Sequence, residues 1–134
     1  MNMALLILIG GVLHFGILTA SVCVPRVLNW KQSLAGLDPL SRQVIWVHGI
    51  FLALVIVAFG ALSVTLSSEL ASGSLLARAI CLFIGLFWAA RLAVQFCVFN
   101  AKPHLSNLPL KLGYNGLTAV FVYHSVVYSI AALR

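Results

Sequence analysis

Apolar residues fall into four long runs along the chain, separated by three stretches that hold most of its charged, proline and small polar residues. The runs cover about residues 3–24, 44–66, 76–99 and 115–133. Crossing ~30 Å of hydrocarbon takes about 20 helical residues, so each run is long enough to span a bilayer. Within lipid a backbone must satisfy its own hydrogen bonds, and a run of this length does so only as a helix. The pattern predicts an all-α, polytopic membrane protein, a single transmembrane domain built as a four-helix up-down bundle.

The intervening stretches predict how the helices are joined. Pro25 is expected to end the first helix, since proline lacks the amide that would continue it. Residues 26–43 hold Trp30, Lys31, Asp38 and Pro39, and predict a short interfacial helix with Val27, Leu28, Trp30, Leu34 and Leu37 toward the headgroups. The link around residues 67–74 is short and rich in small residues, which makes the second and third helices antiparallel neighbours. The third link, residues 100–114, contains Pro103, Pro109 and Gly113, and its Leu105, Leu108, Leu110 and Leu112 predict a path along the membrane surface.

Composition agrees with this reading. Of 134 residues, 63% are hydrophobic and 7% charged, where a soluble domain carries about 25% charged residues. A net charge of +6 would point to nucleic acid in a soluble protein. Here the basic residues cluster in the links, and topology accounts for them, so no nucleic-acid partner is implied. The first and third links carry Arg26, Lys31, Arg42, Lys102 and Lys111, and the opposite side carries Arg78 and Arg134. Lysine and arginine favour the cytoplasmic side, which predicts both termini outside, N-out and C-out. The start of the chain has no basic n-region, and its apolar run is too long for a signal-peptide core, so it is read as a retained helix. Cys23, Cys81 and Cys97 lack metal-ligand spacing and read as small buried hydrophobes.

Polar side chains inside the runs are the candidates for chemistry, because each is costly in hydrocarbon. His14 and His124 lie near the middle of the first and fourth helices, which run antiparallel and adjoin in a simple bundle. Two mid-depth imidazoles on facing helices suit the axial ligation of one haem b, with Gly10 and Gly11 letting a flat porphyrin approach. The alternative is a structural pair, each histidine hydrogen-bonding a neighbouring helix, for example His14 with Tyr123 or His124. His48, Trp88, Arg91 and Gln95 form a second candidate set, a polar cluster beneath the basic side. Arg91 lies roughly 12 Å from that end of its helix at ~1.5 Å per residue, and Gln95 shares its face. Such a cluster would bind a quinone or a polar headgroup, or simply join two helices. No acidic residue lies inside any run, so Arg91 has no intramembrane carboxylate to pair with. The loop residue His104 carries no assigned chemistry.

Small residues offer packing faces: Gly16 with Ala20, and Ala89 with Ala93. Asn115, Thr118, Val122, Ser125 and Ser129 form a partly polar stripe on the last helix. No paired carboxylates, nucleophile elbow, phosphate loop or dinucleotide fingerprint is present, so nothing marks an enzyme. The stretches RQVIWVHG, ELASGSLLARAI, FWAARLAVQ and LKLGYNGLTAVFVYHSVVY together resemble a group of small bacterial four-helix membrane proteins of unassigned function. That resemblance implies a bacterial inner membrane and transfers no site residue. The function expected from the residues is an accessory or assembly subunit, or a homo-oligomeric bundle, with the lipid bilayer and other membrane subunits as partners. The competing classes are electron transfer through haem b or quinone, and an oligomeric transporter or channel.

Overall fold

All four long helices begin on a side chain that takes up a first-turn amide, which is why they start where they do. A computed structural model describes residues 2–98 and 107–134. Asn2 accepts from the Leu5 amide at 2.7 Å and opens α1, Met3–Val27. Asp38 accepts from the Leu40 amide at 2.9 Å and opens α3, Pro39–Thr65. Ser74 opens α5, Leu75–Cys97, and Asn107 opens α6, Leu108–Leu133. Between them lie two single-turn helices, α2 at Trp30–Ser33 and α4 at Ser67–Leu70. The described residues are helical apart from these short connections, and α1, α3, α5 and α6 are each long and apolar enough to cross a membrane.

The boundaries differ from the sequence pattern in instructive ways. Pro25 does not end the first helix. It sits inside the last turn of α1, and the next bond of the ladder, from the Leu28 amide to the Val24 carbonyl, forms at 2.9 Å. One lost bond near a helix end is tolerable where a mid-helix break is not. The second helix begins five residues earlier than its apolar run, because Asp38 supplies the cap and Pro39 has the φ that a first turn needs. The Ser41 hydroxyl and the Leu40 amide, both donating to Asp38, hold its carboxyl below the usual carboxylate range. The last helix likewise starts at Leu108, with Asn107 as cap and Pro109 in the first turn, so Leu108, Leu110 and Leu112 belong to it and not to a surface link. Lys102, His104 and the expected surface path of residues 100–106 lie outside the described residues.

The helices pack in the order α3, α1, α6, α5. The closest pairings are α5 with α6 and α1 with α3, joined by α1 against α6. The short link between α3 and α5 therefore does not make them the tightest pair. Their separation is spanned by large side chains: Phe59 meets Phe83 and Phe87 edge-on, at 5.8 and 5.2 Å. Glycine sets where backbones approach. A Cβ on Gly11 would lie 2.8 Å from Val64 Cγ2 and 2.9 Å from the Val64 backbone nitrogen. A Cβ on Gly85 would lie 2.9 Å from Ser129 Oγ and 3.1 Å from the Ser129 nitrogen. The partly polar stripe of α6 is a packing face only in part: Ser129 meets α5 and Thr118 takes Gln95, whereas Ser125 bonds the Phe121 carbonyl of its own helix and Asn115 and Val122 are exposed. At the opposite end Arg78 Nε donates to the Ala132 carbonyl at 2.9 Å, placing a cation on the last turn of α6.

Because the obstacle at Gly11 is the backbone of α3, Gly11→Ala forces the two helices apart. The expected cost is about 1–3 kcal/mol, read as a lower unfolding temperature of the detergent-solubilised protein. Gly16→Ala, where nothing lies within 4 Å of the added Cβ, should leave it unchanged.

Candidate functional site: a buried histidine pair

The deepest part of the bundle is polar. His14 on α1 and His124 on α6 are both fully buried, and their rings stack with centroids 4.0 Å apart and planes 23° apart. Gly10, one turn before His14, holds them together. Its carbonyl accepts from His14 Nδ1 at 2.7 Å and from His124 Nε2 at 2.9 Å. A carbonyl only accepts, so both of those nitrogens carry a proton.

Trp88 on α5 closes the arrangement. Its indole Nε1 donates to His14 Nε2 at 2.8 Å. An indole only donates, so His14 Nε2 is bare and the ring is the neutral Nδ1–H tautomer. The indole ring stacks on Phe121 at 5.2 Å and 15°. Tyr128, one turn after His124, lies edge-on to both imidazoles at 5.9 and 5.8 Å. Its hydroxyl shares a 2.6 Å hydrogen bond with Ser63 Oγ on α3. Four helices thus meet through one set of buried polar groups, most of whose hydrogen-bonding atoms are paired within it. Of its ring nitrogens, His124 Nδ1 alone has no protein partner. A separate bond from Tyr123 to the Leu6 carbonyl, at 2.7 Å, ties α6 to α1 nearer the N-terminal end.

This geometry does not fit a haem. Imidazole–metal bonds run about 2 Å, so two axial histidines aim nitrogens at one metal from opposite faces of a macrocycle. Here the rings present flat faces to each other at contact distance. Both nitrogens of His14 and Nε2 of His124 are already engaged. The glycines expected to admit a porphyrin are filled: a Cβ on Gly10 would lie 2.9 Å from the Tyr128 hydroxyl, and Gly11 abuts α3. Among the described residues no group of three or more His, Cys, Asp or Glu side chains is placed to hold a metal ion. The two rings stack on each other, His14 bonds Gly10 and Trp88 and not His124, and Tyr123 bonds the Leu6 carbonyl.

The second candidate set is divided. Trp88, Arg91 and Gln95 do share a face of α5, but that face meets α6. Arg91 lies over the Phe121 ring at 5.2 Å, and Gln95, buried, donates to Thr118. The Trp88 N–H is committed to His14 and so is closed to a quinone carbonyl. His48 lies exposed on α3, with Nδ1 against the Val44 carbonyl of its own helix at 2.8 Å. The difference is one of rotation about the helix axis: α5 turns this polar face to α6 and not to His48.

No family model matches the chain. No curated protein and no solved structure matches it either.

Sequence reasoning missed Ser63 and Tyr128, and placed Trp88 in the wrong cluster. The available signal was depth. His14, Trp88 and His124 lie near the midpoints of their runs and Gly10 one turn away, whereas Ser63 and Tyr128 lie toward the ends of theirs and carried no such signal.

Removing the indole donor with Trp88→Phe leaves His14 Nε2 buried and unpaired. The expected loss is about 1–3 kcal/mol of stability, and His14→Ala, which also removes the stack and the Gly10 bond, should cost more. Thermal unfolding followed by circular dichroism in detergent checks the order.

Proposed function

We propose that the protein is a multi-pass membrane protein, in a bacterial inner membrane, that works by lateral contact with other transmembrane helices as an accessory subunit or homo-oligomer. Its exterior supports insertion. Val12, Phe51, Phe83 and Phe96 are 59–66% exposed, and large apolar side chains displayed around all four long helices suit lipid and not water.

The observation that carries the reading is the placement of small residues relative to polar ones. The interior polar groups are turned on one another and leave no convergent set facing an open space. The small-residue pairs face outward: Gly16 is exposed with nothing within 4 Å of a Cβ, and Ala89 and Ala93 are exposed on α5. Small-xxx-small patches let helix backbones approach closely in lipid. Within this bundle the patches are unused, so they are available to a neighbour.

Charge supports N-out and C-out. Arg26, Lys31, Arg42 and Lys111 lie at one end of the bundle. At the other end Arg78 is engaged by the Ala132 carbonyl, which leaves Arg134.

Two experiments test this. Tagged protein isolated from its native membranes should carry a stoichiometric partner or a second copy, and Gly16→Leu or Ala89→Leu/Ala93→Leu should release it while the unfolding temperature holds. A lone 14.4 kDa chain in native mass spectra at every protein concentration would overturn the proposal. For orientation, alkaline phosphatase fused after Arg134 should be active, as it is only outside the cytoplasm; an inactive, stably expressed fusion would reverse the assignment.

A further inference from the structure

A groove at the basic end is shaped and charged like an amphiphile. It forms where α1, α2 and the start of α3 meet. Asn29 adopts the left-handed conformation, φ 52 and ψ 58, which asparagine tolerates better than most residues. This residue reverses the chain, and its amide bonds the Gln32 side chain at 2.9 Å. The reversal lays Trp30 back against Trp46 of α3, edge to face at 5.1 Å. Beside the indoles lies a half-open hollow of about 210 Å³, lined also by Ser21, Val22, Gly49, Ile50 and Ala53. Adjoining it, and sharing Val22, Pro25 and both tryptophans, a shallower space of about 410 Å³ opens past Arg26, Asn29 and Lys31.

Two details make the mouth cationic and polar. The chain has two acidic side chains; Asp38 caps α3, and Glu69 lies in α4 at the other end. The exposed Arg26 and Lys31 therefore present their charge outward. Pro25, having no amide, also leaves the Ser21 carbonyl without its usual helical donor, beside the hollow.

We propose that this groove is a binding site for one anionic glycerophospholipid, with an acyl chain against Val22, Gly49, Ile50 and Ala53 and the phosphate held by Arg26 and Lys31. Trp30 and Trp46 sit between the two regions, at the depth where indoles favour the boundary of chain and headgroup. Basic pockets between helices on the cytoplasmic side suit anionic headgroups. The site rests on the membrane insertion proposed above and is independent of lateral assembly.

The test is native mass spectrometry of the full chain released from nanodiscs of equal phosphatidylglycerol and phosphatidylcholine. The wild type should retain one phosphatidylglycerol in preference to phosphatidylcholine. Arg26→Gln/Lys31→Gln should weaken that retention roughly tenfold or more, as expected for two headgroup-facing cations. Gly49→Leu/Ala53→Leu, which fills the hollow, should abolish it, while Arg78→Gln at the far end should not. Unchanged circular dichroism of the charge variant excludes misfolding as the cause. Equal retention of both lipids by the wild type, or preference surviving Arg26→Gln/Lys31→Gln, overturns the site. So does a groove filled by detergent alone, or by a second copy lost on Gly49→Leu. Resistance of the protein to carbonate extraction keeps these results distinct: an extractable chain would sink the membrane reading itself.

Discussion

The Gly10 carbonyl is the point on which the interior depends. It receives the Nδ1 proton of His14 and the Nε2 proton of His124, and so fixes two rings on two helices at once. In a surrounding without water, a donor buried alone costs about 1–3 kcal/mol. Each imidazole must therefore find its acceptor inside the protein, and a backbone carbonyl offers two lone pairs. Once the two rings share it, their stacking distance, the bare Nε2 of His14 and the approach of Trp88 follow from hydrogen-bond directionality. The absence of a side chain at Gly10 matters for the same reason, because Tyr128 occupies that space and carries the connection on to Ser63.

This explains how a bundle with little else to orient its helices acquires a defined packing. In the lipid surrounding proposed for it, apolar side chains give weak preference for one neighbour over another, and van der Waals fit and polar contacts must decide. Here α1 and α6 are joined by the histidines and by Tyr123, α6 and α3 by Tyr128 with Ser63, and α5 enters through Trp88. Aromatic rings fill the remaining distance between α3 and α5, where the backbones stay apart. A rotation of any one helix by a single residue, about 100°, would withdraw its polar group from the set.

Much of this was legible before any coordinates. Four runs of apolar residues imply four long helices, and the midpoints of the runs place His14 and His124 at one depth. Helix starts were less legible, since Asp38 and Asn107 draw polar first turns into helices whose apolar runs begin later. Rotation was the least legible. An apolar run has polar residues too sparse to mark a buried face, so the sequence could set Arg91 and Gln95 on one stripe without showing that the stripe meets Phe121 and Thr118 instead of His48. Haem ligation was attractive for the same reason: depth brings two histidines together, but only geometry distinguishes rings that face a metal from rings that face each other.

Closing the interior has a consequence for where the protein can act. Side chains that elsewhere would bind a ligand are here consumed in holding helices together, and a substrate competing for His14 or Trp88 would have to break a bond that the fold requires. The outside carries other features: small residues at Gly16 and on α5, and a cationic mouth beside two tryptophans. Those features are arranged around the bundle rather than within it, the small faces along the helices and the charge at one end. The buried network fixes the four helices relative to one another, and so keeps those outward surfaces in register.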